Sequence, residues 1–318
     1  MKKLSIVVPM YNEQEVFSLC VDALSNVLKN LIEKDKITKD SFMLLVDDGS
    51  RDNTWDLIEE AHKQNPFVYG LKLSANVGHQ NALLAGLMTA KNDCDVTVSI
   101  DADLQDDVDA IEKMVDKYLF EECDVVYGVR SKRDTDTVFK RTTAQGFYKL
   151  MNAMGAKSVY NHADFRLMSR RALDALEGYK EQHLFLRGLV PLIGFKSDSV
   201  YYERSERKAG ESKYPFKKML KFAFNGITSF SSKPLSLITA MGAVIVVLSI
   251  AALIYTLISY FMGNAEPGWA SLILSIWFLG GVQLLSIGLV GQYVGKIFEE
   301  SKARPRYNVE TYLNDKQK

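Results

Sequence analysis

From Pro234 to Gly295 the chain carries a single charged residue, Glu266. Nothing else in the sequence limits the fold as strongly. Leu235 to Met262 has no charge and is long enough to cross about 30 Å of hydrocarbon as a helix, and Trp269 to Val294 is long enough to do so again. The turn between them, GNAEPG, contains no lysine or arginine. Lys217, Lys218, Lys221 and Lys233 precede the pair, and Lys296, Lys302, Arg304 and Arg306 follow it. The positive-inside rule places both flanks in the cytosol. Two buried core helices are the competing reading. Just before the pair, PFKKMLKFAFNGITSF sets Phe216, Met219, Leu220, Ala223, Phe224 and Ile227 at helical spacing against three lysines, the pattern of a helix lying in the interface. The small residues of GGVQLLSIGLVG permit close helix packing, and with it a homo-oligomer.

The expected organisation is a globular part over residues 1–213, a juxtamembrane segment over 214–233, a two-helix hairpin over 234–295 and a cytosolic tail over 296–318. In the globular part, short apolar runs alternate with amphipathic helical patterns. LSIVVPM, FMLLVDDGS, VYGLKLS, CDVTVSID and CDVVYGVRS read as strands, with helical stretches between them. That alternation predicts an α/β fold with a parallel sheet covered on both faces. The formal net charge of zero gives no general pull toward nucleic acid. The three cysteines, Cys20, Cys94 and Cys123, have no metal-ligand spacing and read as reduced thiols. The opening MKKLSIVVPMYNEQE is too short in its apolar run for a signal peptide.

In such sheets, ligands bind beyond the carboxyl ends of the strands. Tyr11 and Glu13 follow the first strand, Asp47 and Asp48 the second, and Asp101 and Asp103 the fourth. Any one of these loops could be a solvated cap, but three loops carrying acids or amides at one edge point to a crevice. No glycine-rich dinucleotide fingerprint or P-loop is present, and the glycine of DDGS reads as a turn. A nucleotide bound here would therefore lack a glycine cradle, which leaves a metal as partner of its phosphates. Asp101 and Asp103, with the amide oxygen of Gln105, form a hard oxygen-only set that suits Mg²⁺ or Mn²⁺.

SIVVPMYNE, LLVDDGSRDNT, SANVGHQNALLAGL and IDADLQDD, in this order and spacing, resemble the family 2 glycosyltransferases with the nucleotide-sugar-binding fold called GT-A. NHADFRLMSRRAL and RKAGESKYPFKKM are similar to segments of the polyprenyl-phosphate glycosyltransferases within that family. The likeness runs from about residue 4 to 230, and the two hydrophobic segments extend it toward the bacterial members. The resemblance implies that Pro9, Tyr11, Glu13, Asp47 and Asp48 line a nucleoside pocket. It implies that Asp101, Asp103 and Gln105 hold the metal on the donor diphosphate, and that Asp164 sits beside the acceptor or the sugar. Arg204, Arg207, Ser212 and Lys213 would form a basic loop near the phosphates. The run VRSKR adds Arg130 as a further cation for phosphate.

The implied reaction is inverting transfer of one hexose from a nucleotide sugar, UDP-glucose or UDP-N-acetylglucosamine by likeness to the bacterial branch, to undecaprenyl phosphate at the cytosolic face of the inner membrane. Asp103 and Asp164 are the expected catalytic carboxylates. Asp164 can serve as a general base, orient the acceptor or a sugar hydroxyl, or simply pair with Arg166 or Arg170. A phosphate monoester is already anionic near neutral pH and needs little help from a base. His79, His162 and His183 are isolated and read as packing or capping residues. A processive polysaccharide synthase is the alternative enzyme. Against it, QHLFLRGL lacks the tryptophan of the Q-x-x-R-W motif, and two spans are few for a channel. A non-catalytic lipid-phosphate-binding membrane protein is the alternative outside catalysis.

Overall fold

The structure is a computed structural model, and it describes residues 1–131, 162–182, 184–203, 233–262 and 268–314. The chain divides into two compact units. The first holds the sheet, its helices and the segment from Arg304 onward, and the second holds the two long apolar helices.

The sheet unit begins as the alternation predicts: β1 (Leu4–Met10), α1 (Phe17–Glu33), β2 (Phe42–Asp47), α2 (Thr54–Gln64), β3 (Val68–Leu73), α3 (His79–Ala90), β4 (Val96–Ser99), α4 (Ala110–Phe120) and β5 (Val125–Arg130). Then come β6 (His162–Ser169), α5 (Arg170–Glu177), the single turn α6 (Leu186–Leu189) and β7 (Ser197–Tyr202). Every residue of β1, β2 and β4 is buried, the mark of strands covered on both faces. The packing is close enough to need glycine. A Cβ on Gly86 of α3 would lie 2.5 Å from Val7 Cγ1 and 2.7 Å from Val46 Cγ2, so α3 rests directly on β1 and β2.

The strand order is β7-β5-β6-β4-β1-β2-β3-β8. The Rossmann-like expectation holds for β4, β1, β2 and β3, which are parallel. The sheet as a whole is mixed, which corrects the all-parallel reading. β6 is antiparallel to both neighbours, β4 and β5. It escaped the sequence reading because HADFRLMS places a charged Arg166 in what proves a buried strand. β8 (Val309–Leu313) pairs antiparallel with β3, so the segment expected as a tail carries the last strand of the sheet. Lys72 bonds Glu310 across that pair at 2.9 Å, and the Tyr312 hydroxyl donates to Asp93 at 2.9 Å.

In the second unit, α7 (Lys233–Phe261) and α8 (Trp269–Ser301) run 29 and 33 residues. Among the described residues one stretch, Phe278–Ser301, is long and apolar enough to cross a membrane by length and composition. The juxtamembrane segment before Lys233 lies outside the described residues.

Candidate active site at the carboxyl edge of the sheet

The parallel register sets the crevice. Met10 stands opposite Asp47, and Val7 opposite Ser99, so the loops after β1, β2 and β4 leave one edge of the sheet. Antiparallel β6 brings its own beginning to that same edge. The Ser99 hydroxyl donates to the carbonyl of Asp164 at 2.5 Å, fixing Asp164 beside the start of the DADLQ loop.

The first two loops are stitched to each other. The amide of Asn12 donates to Ser50 Oγ at 3.0 Å, and that of Glu13 to Thr54 Oγ1 at 3.0 Å. Asn12 adopts a left-handed backbone, φ 55°. Pro9 is buried in β1, Glu13 is half-buried and Tyr11 is exposed. Asp47 accepts from the amide of Ser50 at 3.2 Å. Asp48 accepts from the amides of Val77 and Gly78, at 2.7 and 3.0 Å. Gly49 has φ +66°, and a Cβ there would lie 2.7 Å from the Asn76 nitrogen, so the DDGS turn and the loop before α3 are locked together. Burial pushes the carboxyls of both Asp47 and Asp48 above their ordinary range, against the pull of these amides.

The DADLQ loop is built differently. β4 ends at Ser99, so neither Asp101 nor Asp103 lies in the strand. Leu104 takes a left-handed backbone, φ 51°, and the Gln105 amide donates to Asp103 Oδ1 at 3.2 Å. The Gln105 residue is buried. Burial drives the Asp101 carboxyl up to about 6, and Asp164, Asp106 and Asp103 add repulsion, while His79 pulls the other way. These hard oxygen donors gather on one loop beside other carboxylates, which fits a divalent cation. Among the described residues no three His, Cys, Asp or Glu side chains are gathered as a complete ion site.

His79 departs from the packing role expected of it. As the first residue of α3, it sets Nε2 3.5 Å from Asp101 Oδ1 and 3.7 Å from Asp164 Oδ2. Burial favours the neutral ring, but the neighbouring Asp164 and Asp101 carboxylates hold its pKa above the ordinary value. Its place in SANVGHQNALLAGL was the available signal. Arg187 is not among the expected site residues, yet its guanidinium reaches Asp164 at 2.9 and 3.2 Å. Arg166, fully buried, donates to Asp164 at 2.5 Å, realising the pairing that was one alternative for this carboxylate. Arg130 donates to the buried Asp106 at 2.9 and 3.2 Å, and Tyr202 donates to the same oxygen at 2.6 Å. Arg204, Arg207, Ser212, Lys213 and His183 lie outside the described residues. All three cysteines are free and buried.

Residues 5–177 match the model of glycosyl transferase family 2. An uncharacterized glycosyltransferase of Bacillus subtilis, YkoT, is 56% identical over 314 residues, covering 99% of this chain and 93% of the relative. A bactoprenol glucosyl transferase of Shigella phage SfV is 38% identical over 321 residues, covering 99% and 100%. A prophage bactoprenol glucosyl transferase homolog of Escherichia coli K12 is 37% identical over 311 residues, covering 96% and 97%. Among solved structures, the mannosyltransferase PcManGT of Pyrobaculum calidifontis, in complex with GDP-Man and Mn²⁺, overlaps with a TM-score of 0.46 at 16% identity, covering 92% of this chain and 87% of that one.

Proposed function

The chain belongs to glycosyl transferase family 2, and from that premise we propose that it moves one hexose from a nucleotide sugar to the phosphate of a polyprenyl phosphate at the cytosolic face of the plasma membrane. The observation that carries the reading is full-length similarity. The bactoprenol glucosyl transferase of phage SfV aligns over 99% of this chain, a span that includes both long helices as well as the sheet. That relative's name carries a glucosyl group, and UDP-glucose is accordingly the first donor proposed, with UDP-N-acetylglucosamine next.

Chain connectivity supports a two-span hairpin. β7 precedes α7, β8 follows α8, and both strands belong to one sheet. A chain that leaves a body on one side of a membrane and returns to it crosses an even number of times. If Phe278–Ser301 spans, the preceding helix spans as well, and the lysine-rich flanks put the sheet on the cytosolic side. An acceptor phosphate at the cytosolic headgroup level would then lie on the same side of the membrane as the sheet.

Within the crevice, Asp101 and Asp103 would hold Mg²⁺ or Mn²⁺, with Gln105 as a third oxygen donor. The ion would supply charge stabilisation for the departing diphosphate. The stitched loops after β1 and β2, with Tyr11, Glu13, Asp47 and Asp48, would receive the nucleoside. Inversion at the anomeric carbon follows from a single in-line displacement by the acceptor phosphate oxygen, which is already deprotonated near neutral pH.

The test uses full-length protein in detergent, undecaprenyl phosphate and a panel of radiolabelled nucleotide sugars. Label that enters the organic phase with one donor, and is lost with EDTA, establishes reaction, sugar and metal together. Absence of lipid-linked label with every donor overturns the acceptor.

A further inference from the structure

We infer that Asp106 is the positioning residue of the DADLQ loop, clamping the segment that carries the proposed ion ligands to the ends of β5 and β7 and acting through those ligands, not as one of them. The inference deepens the proposed metal site and rests on it for the identity of the ion. Asp101, Asp103 and Gln105 lie between two anchors. Before them, the amide of Ile100 donates to the carbonyl of Val7 at 3.1 Å and ties the start of the loop to β1. After them comes Asp106, 2% exposed, whose Oδ1 accepts from the Tyr202 hydroxyl at 2.6 Å and from Arg130 Nη2 and Nε at 2.9 and 3.2 Å. Between the anchors, Leu104 keeps a left-handed backbone, φ 51°, which an L residue adopts only where its surroundings hold it.

The two donors to Asp106 are partners of each other. Arg130 ends β5, Tyr202 ends β7, and the parallel register sets them side by side. The amide and the hydroxyl of Ser131 both donate to the Tyr202 carbonyl at 2.9 Å, which closes that pair. The Tyr202 ring meets Phe165 of β6 edge-on, with centroids 5.4 Å apart. One carboxylate oxygen thus joins the loop to the half of the sheet that β1 does not reach. The other oxygen is in a different state. Asp106 Oδ2 is buried and has no hydrogen-bond partner among the described residues. A buried acceptor left unpaired is costly, and positive charge on the same loop offsets that cost. The charge of Asp106 is felt at Asp101 more strongly than that of Asp103. Removing it would leave the Arg130 charge unbalanced by Asp106 and would release the far anchor of the loop. Both changes oppose a divalent ion, as loss of an outer partner commonly does at a metal site.

The experiment titrates Mn²⁺ into full-length protein in detergent, alone and with UDP, and follows the ion by electron paramagnetic resonance. Asp106→Asn keeps the size of the side chain and is expected to weaken Mn²⁺ binding about tenfold or more. Tyr202→Phe removes one bond to Oδ1, keeps the charge pair with Arg130 and is expected to weaken binding in the same direction by a smaller factor. In the transfer assay both variants should regain activity as Mn²⁺ is raised. Rescue by excess ion separates a positioning residue from a merely structural one, because a loop that has come apart does not recover. Wild-type Mn²⁺ affinity in either variant overturns the inference. So does transfer that excess Mn²⁺ fails to restore in a variant that keeps its Tm. Should Asp106→Asn not fold, Tyr202→Phe, with its charges intact, decides the matter. The ion titration needs no turnover, so the two readings fail separately. A wild type that binds Mn²⁺ through this clamp yet transfers no sugar to lipid refutes the proposed reaction and leaves the assignment standing. A wild type that binds no Mn²⁺, with or without UDP, overturns the assignment, and label that still reaches lipid in EDTA then keeps the reaction without the ion.

Discussion

The loops after β2 and β4 carry similar acidic signatures, Asp47-Asp48 and Asp101-Ala102-Asp103, and leave the same edge of the same sheet. The structure uses them in different ways. Asp48 spends both oxygens on the amides of Val77 and Gly78 and holds the start of α3 in place. Asp101 faces other carboxylates and one imidazole, and its pKa rises to about 6. Paired acids in a sequence therefore do not identify a site by themselves. What surrounds each carboxylate decides whether it holds the backbone or carries charge into the crevice. The two roles are linked, because the amides that Asp48 holds immediately precede His79, the side chain that faces Asp101.

This contrast can be broken at either loop. The largest effect is expected for Asp101→Asn and Asp103→Asn. On the proposed metal site each would remove several kcal/mol of charge stabilisation supplied through the ion, so transfer should fall about a hundredfold or more. Thermal stability should hold or rise in both variants, because mutual repulsion is relieved; a melting curve that collapses with activity would make these residues architecture as well. Asp48→Ala reverses the pattern. It orphans two backbone N–H groups at roughly 1–3 kcal/mol each and removes a side chain proposed to receive the nucleoside, so a lower Tm should accompany the weaker binding of the nucleotide sugar.

Gly49→Ala attacks the same lock from the other side. The residue sits at φ +66°, where an L side chain costs about 1–2 kcal/mol, and its Cβ would crowd the backbone of Ala75 and Asn76. Denaturant unfolding should show that destabilisation or more, and a neutral result would mean the turn relaxes freely. The smallest effect is a pH dependence. In the metal-free protein Asp101 titrates near 6 when folded and near 3.9 when unfolded. Its contribution to stability is fully present below about pH 4 and is lost as pH rises through about 6. The stability difference between wild type and Asp101→Asn should therefore move against wild type across that window. A flat difference would mean that Asp101 is not under the strain its neighbours impose.

Much of this molecule was legible in one dimension. Continuous apolar runs gave β1 to β5, and the helical periods between them gave α1 to α4, because a strand buried on both faces can hold little else. A single charge over 234–295, Glu266 between the two runs, gave two long helices. The DADLQ loop was visible because it follows such a strand. β6 was not visible, since Arg166 at its centre is tolerated only with Asp164 and the Leu186 carbonyl beside it, partners no local pattern can supply. β8 was hidden for a related reason. Its residues are partly exposed, and its pairing with β3 joins positions more than two hundred residues apart.

The sequence by itself determined the class of fold, the edge at which chemistry must occur and the acids gathered there, because all three follow from local periodicity and strand ends. Only the tertiary structure decided which acids are committed to backbone amides, as Asp48 is, and which face other carboxylates, as Asp101 does. It also brought His79, Arg166 and Arg187 to one carboxylate. Charge in a buried site takes its meaning from contacts across the sheet, and those contacts have no period along the chain.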